Sequence, residues 1–335
     1  MELNPKLGII MKFKLIALAV AAAISFSAAP SSAQEAATPV ISAEFPFERS
    51  FVEVNGSQMA YVDEGEGPVV LFLHGNPTSS YIWRNIIPHV SDDYRAIALD
   101  LIGMGASAKP DIDYTLQDHL AYLEGFVDAL GLKDITLVLH DWGGGLGTYF
   151  AANNSENIKA LAIMEAAVPP VLPIQSWEDL KPESVRENYR AMRDPVVGPK
   201  MILGQNIFIE QVIPSGMLRT ISTEEKDAYG APFLTPEDRK PLLIWALEIP
   251  IEGTPERNVK AMGQAYTWLT TSEQPKLVLY ATPGWLFAKE AVEWIAANYS
   301  NVETRHVGAG LHYIQEDQPE IIGRNISDWL RDRVN

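Results

Sequence analysis

The sequence predicts an α/β fold in which a mostly parallel central sheet is flanked by helices and carries an inserted helical cap. Three observations predict it. Short runs such as Val69 to Leu73, Ala96 to Leu99, Ile135 to Leu139, Ala160 to Met164 and Leu277 to Tyr280 are apolar at nearly every position, as strands buried on both faces of a parallel sheet require. Helical patterns lie between them, and alternation of the two element types builds a sheet covered by helices. From about Val168 to Pro250 the alternation stops, and a proline-rich stretch with Trp177, Met192, Met201, Phe208, Met217, Tyr229 and Trp245 shows helical spacing without a clear strand. Such an insertion late in an α/β domain reads as a cap over the carboxyl edge of the sheet, where open α/β sheets bind ligands.

At the N-terminus, Lys12 and Lys14 precede an apolar run from Leu15 to Ala29 and a small-residue stretch ending Ser31-Ser32-Ala33. This is the layout of a secretory signal peptide over residues 1–33, with Met11 as the better start. The run is too short and too Ala-rich for a convincing membrane span. The expectation is a periplasmic or secreted protein with no stable membrane association after cleavage. Residues 34–45, rich in Ala, Pro and Ser, read as a linker. Phe51 to Val54 and Met59 to Val62 flank Asn55-Gly56, a dipeptide suited to a hairpin turn. A helix follows from Leu116, Leu120, Leu123, Phe126, Val127 and Leu130, with Thr115 and Asp118 spaced as a cap. A last helix runs from Pro319 to Leu330. The domain division is 46–167 with 251–335 for the core and 168–250 for the cap.

Composition narrows the function. A net charge of −17 argues against nucleic acid as a partner, because tracking phosphates needs clustered Lys and Arg. The absence of cysteine excludes disulfides, thiolate metal sites and a Cys nucleophile.

The sharpest motif is Val138-Leu139-His140-Asp141-Trp142-Gly143-Gly144, an apolar strand running through a Gly-flanked polar residue into a helix. It has the layout of the nucleophile elbow of the α/β-hydrolase fold, where small neighbours permit a strained turn that presents one side chain. Here that side chain is Asp141; the plainer alternative is an Asp that only caps a helix. Leu73-His74-Gly75-Asn76-Pro77 ends an earlier strand. In this fold the corresponding loop supplies one backbone N–H of an oxyanion hole and the residue after the nucleophile the other, so Asn76 and Trp142 are the expected donors.

A distal His on a Gly-rich loop completes the order nucleophile, acid, His, and Gly308-Ala309-Gly310-Leu311-His312-Tyr313, after an apolar run ending at Val307, fits it. His74, His89, His119, His140 and His306 read as structural. The imidazole needs a carboxylate to orient it. The loop Ala281 to Phe287 offers none, which leaves Glu165 at the end of the Ala160 to Met164 strand.

Together these residues resemble the haloalkane dehalogenases, in particular the branch with a Glu acid after the sixth strand. The matching segments are His74 through Asn85, Asp100 through Gly105, His140 through Gly143, Met164-Glu165, Gln205-Asn206 with Phe208-Ile209-Glu210, and Gly310 through Asp317, within a similarity from about Phe47 to Leu330. The resemblance implies Asp141 as nucleophile, His312 as general base, Glu165 as catalytic acid, and Asn76 and Trp142 as halide-binding residues. It places Phe208, Gly216, Trp285 and Leu286 on the substrate pocket or tunnel. Haloalkane and water are the implied reactants and a halide ion the product, with no cofactor and no metal.

Departures from the family pattern carry expectations of their own. Gly143-Gly144-Gly145 stands where relatives often have Gly-Ser-Ala, and Ala166-Ala167-Val168 where they often have an aromatic and an Arg. Both suggest a looser site floor. Trp285, where an aliphatic residue is common, should narrow the tunnel mouth opposite Gly216. Two alternative activities share the triad segments: an epoxide hydrolase using cap tyrosines such as Tyr189 and Tyr229, and a coelenterazine-luciferase-like oxygenase.

Overall fold

The hairpin forms where Asn55-Gly56 predicts it, with both residues at positive φ (49° and 76°) joining β1 (Ser50–Val54) to β2 (Ser57–Glu64). The computed structural model describes residues 41–334, so the expected signal peptide lies outside the described residues. Residues 42 and 43, expected as linker, are hydrogen-bonded: the Ser42 carbonyl accepts from Arg84 Nε at 2.8 Å, and the Ala43 carbonyl from the Tyr81 hydroxyl at 2.6 Å.

The apolar runs become β3 (Val69–Leu73), β4 (Arg95–Leu99), β5 (Ile135–Asp141), β6 (Ile158–Ala166) and β7 (Lys276–Pro283). With β8 (Val302–Gly310) the eight-stranded sheet has the order β1-β2-β4-β3-β5-β6-β7-β8, antiparallel at β1/β2 and β2/β4 and parallel elsewhere. β8 corrects one expectation: it is not an apolar run, because as the edge strand it is only partly covered and carries Glu303 and Arg305.

Helices of eight residues or more are numbered α1 (Leu116–Ala129), α2 (Trp142–Asn153), α3 (Glu183–Arg193), α4 (Thr223–Gly230), α5 (Lys240–Glu248), α6 (Glu256–Thr271), α7 (Lys289–Asn298) and α8 (Pro319–Arg333). α1 starts with the reciprocal cap its sequence announces: Thr115 and Asp118 each accept from the other's backbone N–H. Among the described residues no strand falls between β6 and β7, and α3, α4, α5 and α6 lie in that interval.

The order of the sheet fixes where chemistry can happen. β4 lies on one side of β3 and β5 on the other, so the connections leaving the carboxyl ends of β3 and β5 diverge and open a crevice. Leu73 pairs with Leu139 at that edge, which sets the loop at Asn76 beside the turn at Asp141.

A buried charge cluster ties the 216–230 segment to this edge. Arg84, 2% exposed, reaches Glu316 at 2.5 Å and Glu225 at 2.8 Å, and Arg219 reaches Glu316 at 2.6 Å. Pairing two guanidinium groups with two carboxylates offsets a desolvation cost that either sign alone would leave uncompensated. Asp317 adds backbone contacts, accepting from Leu218 N–H at 3.0 Å and Arg219 N–H at 3.1 Å.

Candidate active site

Asp141 sits at φ 51°, ψ −128°, a conformation that side chains with a Cβ rarely adopt, and its carboxylate does not cap α2. The plain helix-cap reading therefore fails. The strained turn is possible because the neighbouring residues are minimal: a Cβ on Gly75 would lie 2.2 Å from Asp141 Oδ1, and one on Gly143 2.3 Å from the Leu73 carbonyl. The turn aims the Asp141 side chain at the β3 loop, where Oδ1 accepts the Asn76 backbone N–H at 2.7 Å.

Oδ2 faces His312, whose Nε2 is 3.4 Å away. On the other side of the ring Nδ1 stands 3.6 Å from Glu165 Oε2, within ion-pair range but longer than a good hydrogen bond. Glu165 is fully buried at φ 41° and accepts three backbone N–H groups, from Trp285 (3.2 Å), Leu286 (2.7 Å) and Phe287 (3.1 Å). The loop that lacks an acid thus contributes backbone donors that hold the acid in place.

Electrostatics follow from this arrangement. Burial disfavours the His312 cation, but the two carboxylates of Asp141 and Glu165 outweigh it and push the imidazole up to about 9. Burial works against the Asp141 anion as well, yet His312 and the Trp142 backbone N–H hold that carboxyl below its usual range. Around neutral pH the pair is an aspartate facing an imidazolium.

The side chains of Asn76 and Trp142 are both buried, and neither the Asn76 amide nor the Trp142 indole N–H meets an acceptor among the described residues. The Trp142 ring is braced by Trp245 of α5 at 4.6 Å, and Trp245 by His119 at 4.2 Å in a stack. His119 is structural, as expected, and burial lowers it to about 3. His74 is structural too: Nε2 accepts the Leu101 N–H at 3.0 Å, and Nδ1 lies 2.9 Å from the Gly75 carbonyl.

The residues expected along the substrate path divide. Trp285 is 39% exposed and meets the His312 ring edge-on at 5.6 Å, so it stands between the imidazole and solvent. Phe208 is buried and Leu286 half-buried, both packed into the apolar core. Gly216 is tied to the His312 loop: its carbonyl accepts the N–H groups of His312 (3.0 Å) and Tyr313 (2.9 Å), and a Cβ there would strike the Tyr313 ring at 2.6 Å.

The looser floor expected from Gly143 to Gly145 is not found. A Cβ on Gly144 would lie 2.4 Å from the Ala166 Cβ, and one on Gly145 3.0 Å from the Ala167 carbonyl. Small residues on α2 and at the end of β6 let the two backbones close together, and no space remains between them.

Reading the sequence missed two contributors. His140, read as structural, hydrogen-bonds the His312 carbonyl, and Trp245 braces the indole donor. A polar residue ending the otherwise apolar Val138-Leu139 run was the available signal for the first. Of the cap tyrosines, the Tyr229 hydroxyl is committed to Glu316, while burial and the Asp141 charge push the Tyr189 phenol up to about 12.

A family model described as alpha/beta hydrolase fold matches residues 68–197. The haloalkane dehalogenase of Mesorhizobium japonicum is 45% identical over 289 residues, covering 85% of this chain and 92% of that one. The chain belongs to the haloalkane dehalogenase family. A haloalkane dehalogenase of Bradyrhizobium diazoefficiens is 42% identical over 83% of this chain and 92% of its own. The crystal structure of haloalkane dehalogenase DbeA from Bradyrhizobium elkani matches with a TM-score of 0.82 at 42% identity, covering 85% of this chain and 98% of that one. The activity is hydrolysis of carbon–halogen bonds in haloalkanes, with water as co-substrate.

Proposed function

We propose the following roles for this haloalkane dehalogenase. Asp141 Oδ2 attacks the halogen-bearing carbon in line, and the indole N–H of Trp142 and the side-chain amide of Asn76 take up the charge that develops on the departing halide. The new C–O bond makes an alkyl ester of Asp141. Esterification removes the Asp141 charge, and with it much of what holds a proton on His312. The proton is lost to solvent, and the neutral imidazole, oriented by Glu165, deprotonates a water that attacks the ester carbonyl; the Cγ–Oδ2 bond then breaks, the departing alcohol oxygen takes up a proton, and the aspartate facing an imidazolium is restored. Oδ1, in the backbone N–H groups of Asn76 and Trp142, becomes the oxyanion of that step.

The observation that carries this reading is the 3.4 Å approach of His312 Nε2 to Asp141 Oδ2 while Oδ1 is held at 2.7 Å by the Asn76 N–H. Oδ2 lies outside the backbone donors, facing His312, as the attacking oxygen; Oδ1 is already in place for the second step. Trp285, Leu286, Phe208 and Gly216 are proposed to shape the substrate path. The chemistry needs no organic cofactor. The test is halide release from 1,2-dibromoethane and 1-bromobutane: wild type should release bromide and D141A should not. No release across a broad haloalkane panel would remove the assignment.

The core (46–167 and 251–335) and cap (168–250) division is proposed with it, supported by the strand-free interval between β6 and β7. Export to the periplasm or medium is proposed from Lys12, Lys14 and the Leu15 to Ala29 run. Cell fractionation with N-terminal sequencing of the mature chain tests it: a chain beginning at Met11 or before and staying with the cytosol would refute it.

A further inference from the structure

His140 occupies the position before Asp141 on β5, is fully buried, and places Nε2 2.9 Å from the carbonyl oxygen of His312, 172 residues later. A carbonyl only accepts, so Nε2 carries the proton and donates. Burial, reinforced by the neighbouring His312 cation, lowers His140 to about 3 and keeps the ring neutral. Its Nδ1 is buried without a partner, so the one hydrogen bond to His312 fixes both the tautomer and the orientation of the ring. The two imidazoles lie 4.7 Å apart.

The opposite side of the same residue is held from the cap, because the His312 N–H donates to the Gly216 carbonyl at 3.0 Å. Both backbone polar groups of His312 are thereby engaged, one by the strand that bears Asp141 and one by the segment that Arg219, Glu225 and Asp317 fasten down. We propose that His140 is a positioning residue for the water-activating step: with Gly216 it clamps the His312 backbone so that the imidazole stays in register with Asp141 and Glu165.

The proposal rests on the roles assigned above to Asp141 and His312, and it separates the two half-reactions. Ester formation needs Asp141 and the halide donors. Ester hydrolysis needs His312 within hydrogen-bond reach of a water, where a displacement of about 1 Å costs on the order of a hundredfold. Loss of the clamp should slow hydrolysis and leave alkylation nearly intact.

The experiment is rapid-quench kinetics with 1-bromobutane, normalised to the bromide burst, with intact-mass measurement of the alkylated protein during turnover. H140F removes the donor and keeps a ring. H140N keeps an amide that falls a bond short. H140Q carries an amide N–H to about the position of Nε2. H140F and H140N should keep the burst rate within about threefold and lose about tenfold or more in the hydrolytic rate, with most of the protein held as ester. H140Q should restore the wild-type partition. If H140F does not fold, the contrast between H140N and H140Q decides. Equal losses in both steps, an unchanged partition in H140N, or no rescue by H140Q would overturn the clamp. Absence of any alkylated protein in wild type would instead overturn the role of Asp141.

Discussion

Nδ1 of His312 stands 3.6 Å from Oε2 of Glu165, and that carboxylate is itself gripped by three consecutive backbone N–H groups of Trp285, Leu286 and Phe287. An anion fixed in this way stabilises the imidazolium without wandering from it. E165Q keeps the volume but loses the charge and offers one acceptor oxygen to a site built for two. Turnover should fall by up to about 10⁴-fold, the loss seen when an orienting carboxylate is replaced by its amide, and the ester-hydrolysis step should carry the loss. Single-turnover kinetics check this; an equal loss in the burst phase would contradict it.

The elevated His312 sets a pH window. Its folded value of about 9 lies above the ordinary 6.5, so the stabilisation from the ion pair is complete below about 6.5 and is lost as pH rises through 9. Unfolding free energy should decline across that interval by on the order of 3 kcal/mol. D141N removes a carboxylate that raises the imidazole, so it should bring the His312 titration down and flatten the decline. Imidazole NMR titration of both proteins, beside denaturant melts at several pH values, tests the sign. A wild-type His312 titrating at its ordinary value would refute the ion-pair account.

Gly144 is where α2 meets β6. In an open helix Gly→Ala gains about 1 kcal/mol, but here the new Cβ lies 2.4 Å from that of Ala166, and overpacking costs about 1–3 kcal/mol. The clash should win, leaving G144A less stable than wild type in denaturant melts. Because the two positions share one contact, G144A/A166G should recover more than the sum of the single changes allows. Additive effects would show that the contact is not what limits the site.

Trp285 holds Glu165 through its backbone and covers His312 with its ring. W285A should therefore keep the triad and open the path. We expect about a tenfold gain in kcat/KM for long or branched bromoalkanes relative to 1-bromobutane, the scale on which pocket walls discriminate methylene groups. An unchanged chain-length profile would show that Trp285 does not limit access.

Much of the scaffold could be read directly. The Asn55-Gly56 hairpin and the Thr115/Asp118 cap depend on neighbours within a few residues, the buried parallel strands show as apolar runs, and the elbow shows its glycines, although what Gly75 and Gly143 make room for lies on the other strand. β8 was harder, since an edge strand covered on one side mixes Glu303 and Arg305 with Val302 and Val307 and shows no apolar run. The floor was misjudged for a related reason. Whether Gly144 leaves a gap or permits a close approach depends on Ala166, and spacing along the chain does not reveal the distance between backbones.

By itself the sequence determined the fold class and singled out Asp141 at the strand-to-helix turn, the late His312, and Glu165 beside an acid-free loop, three residues that the structure brings together. Only the tertiary structure decided what surrounds them: the clamp of His140 and Gly216 on His312, the grip of the 285–287 amides on Glu165, the closed packing of Gly144, and the ring of Trp285 against the imidazole. The first group follows from local steric and burial requirements, which a short stretch of residues satisfies alone. The second consists of contacts between separate segments of the chain, whose existence depends on ångström-scale packing that no single segment encodes.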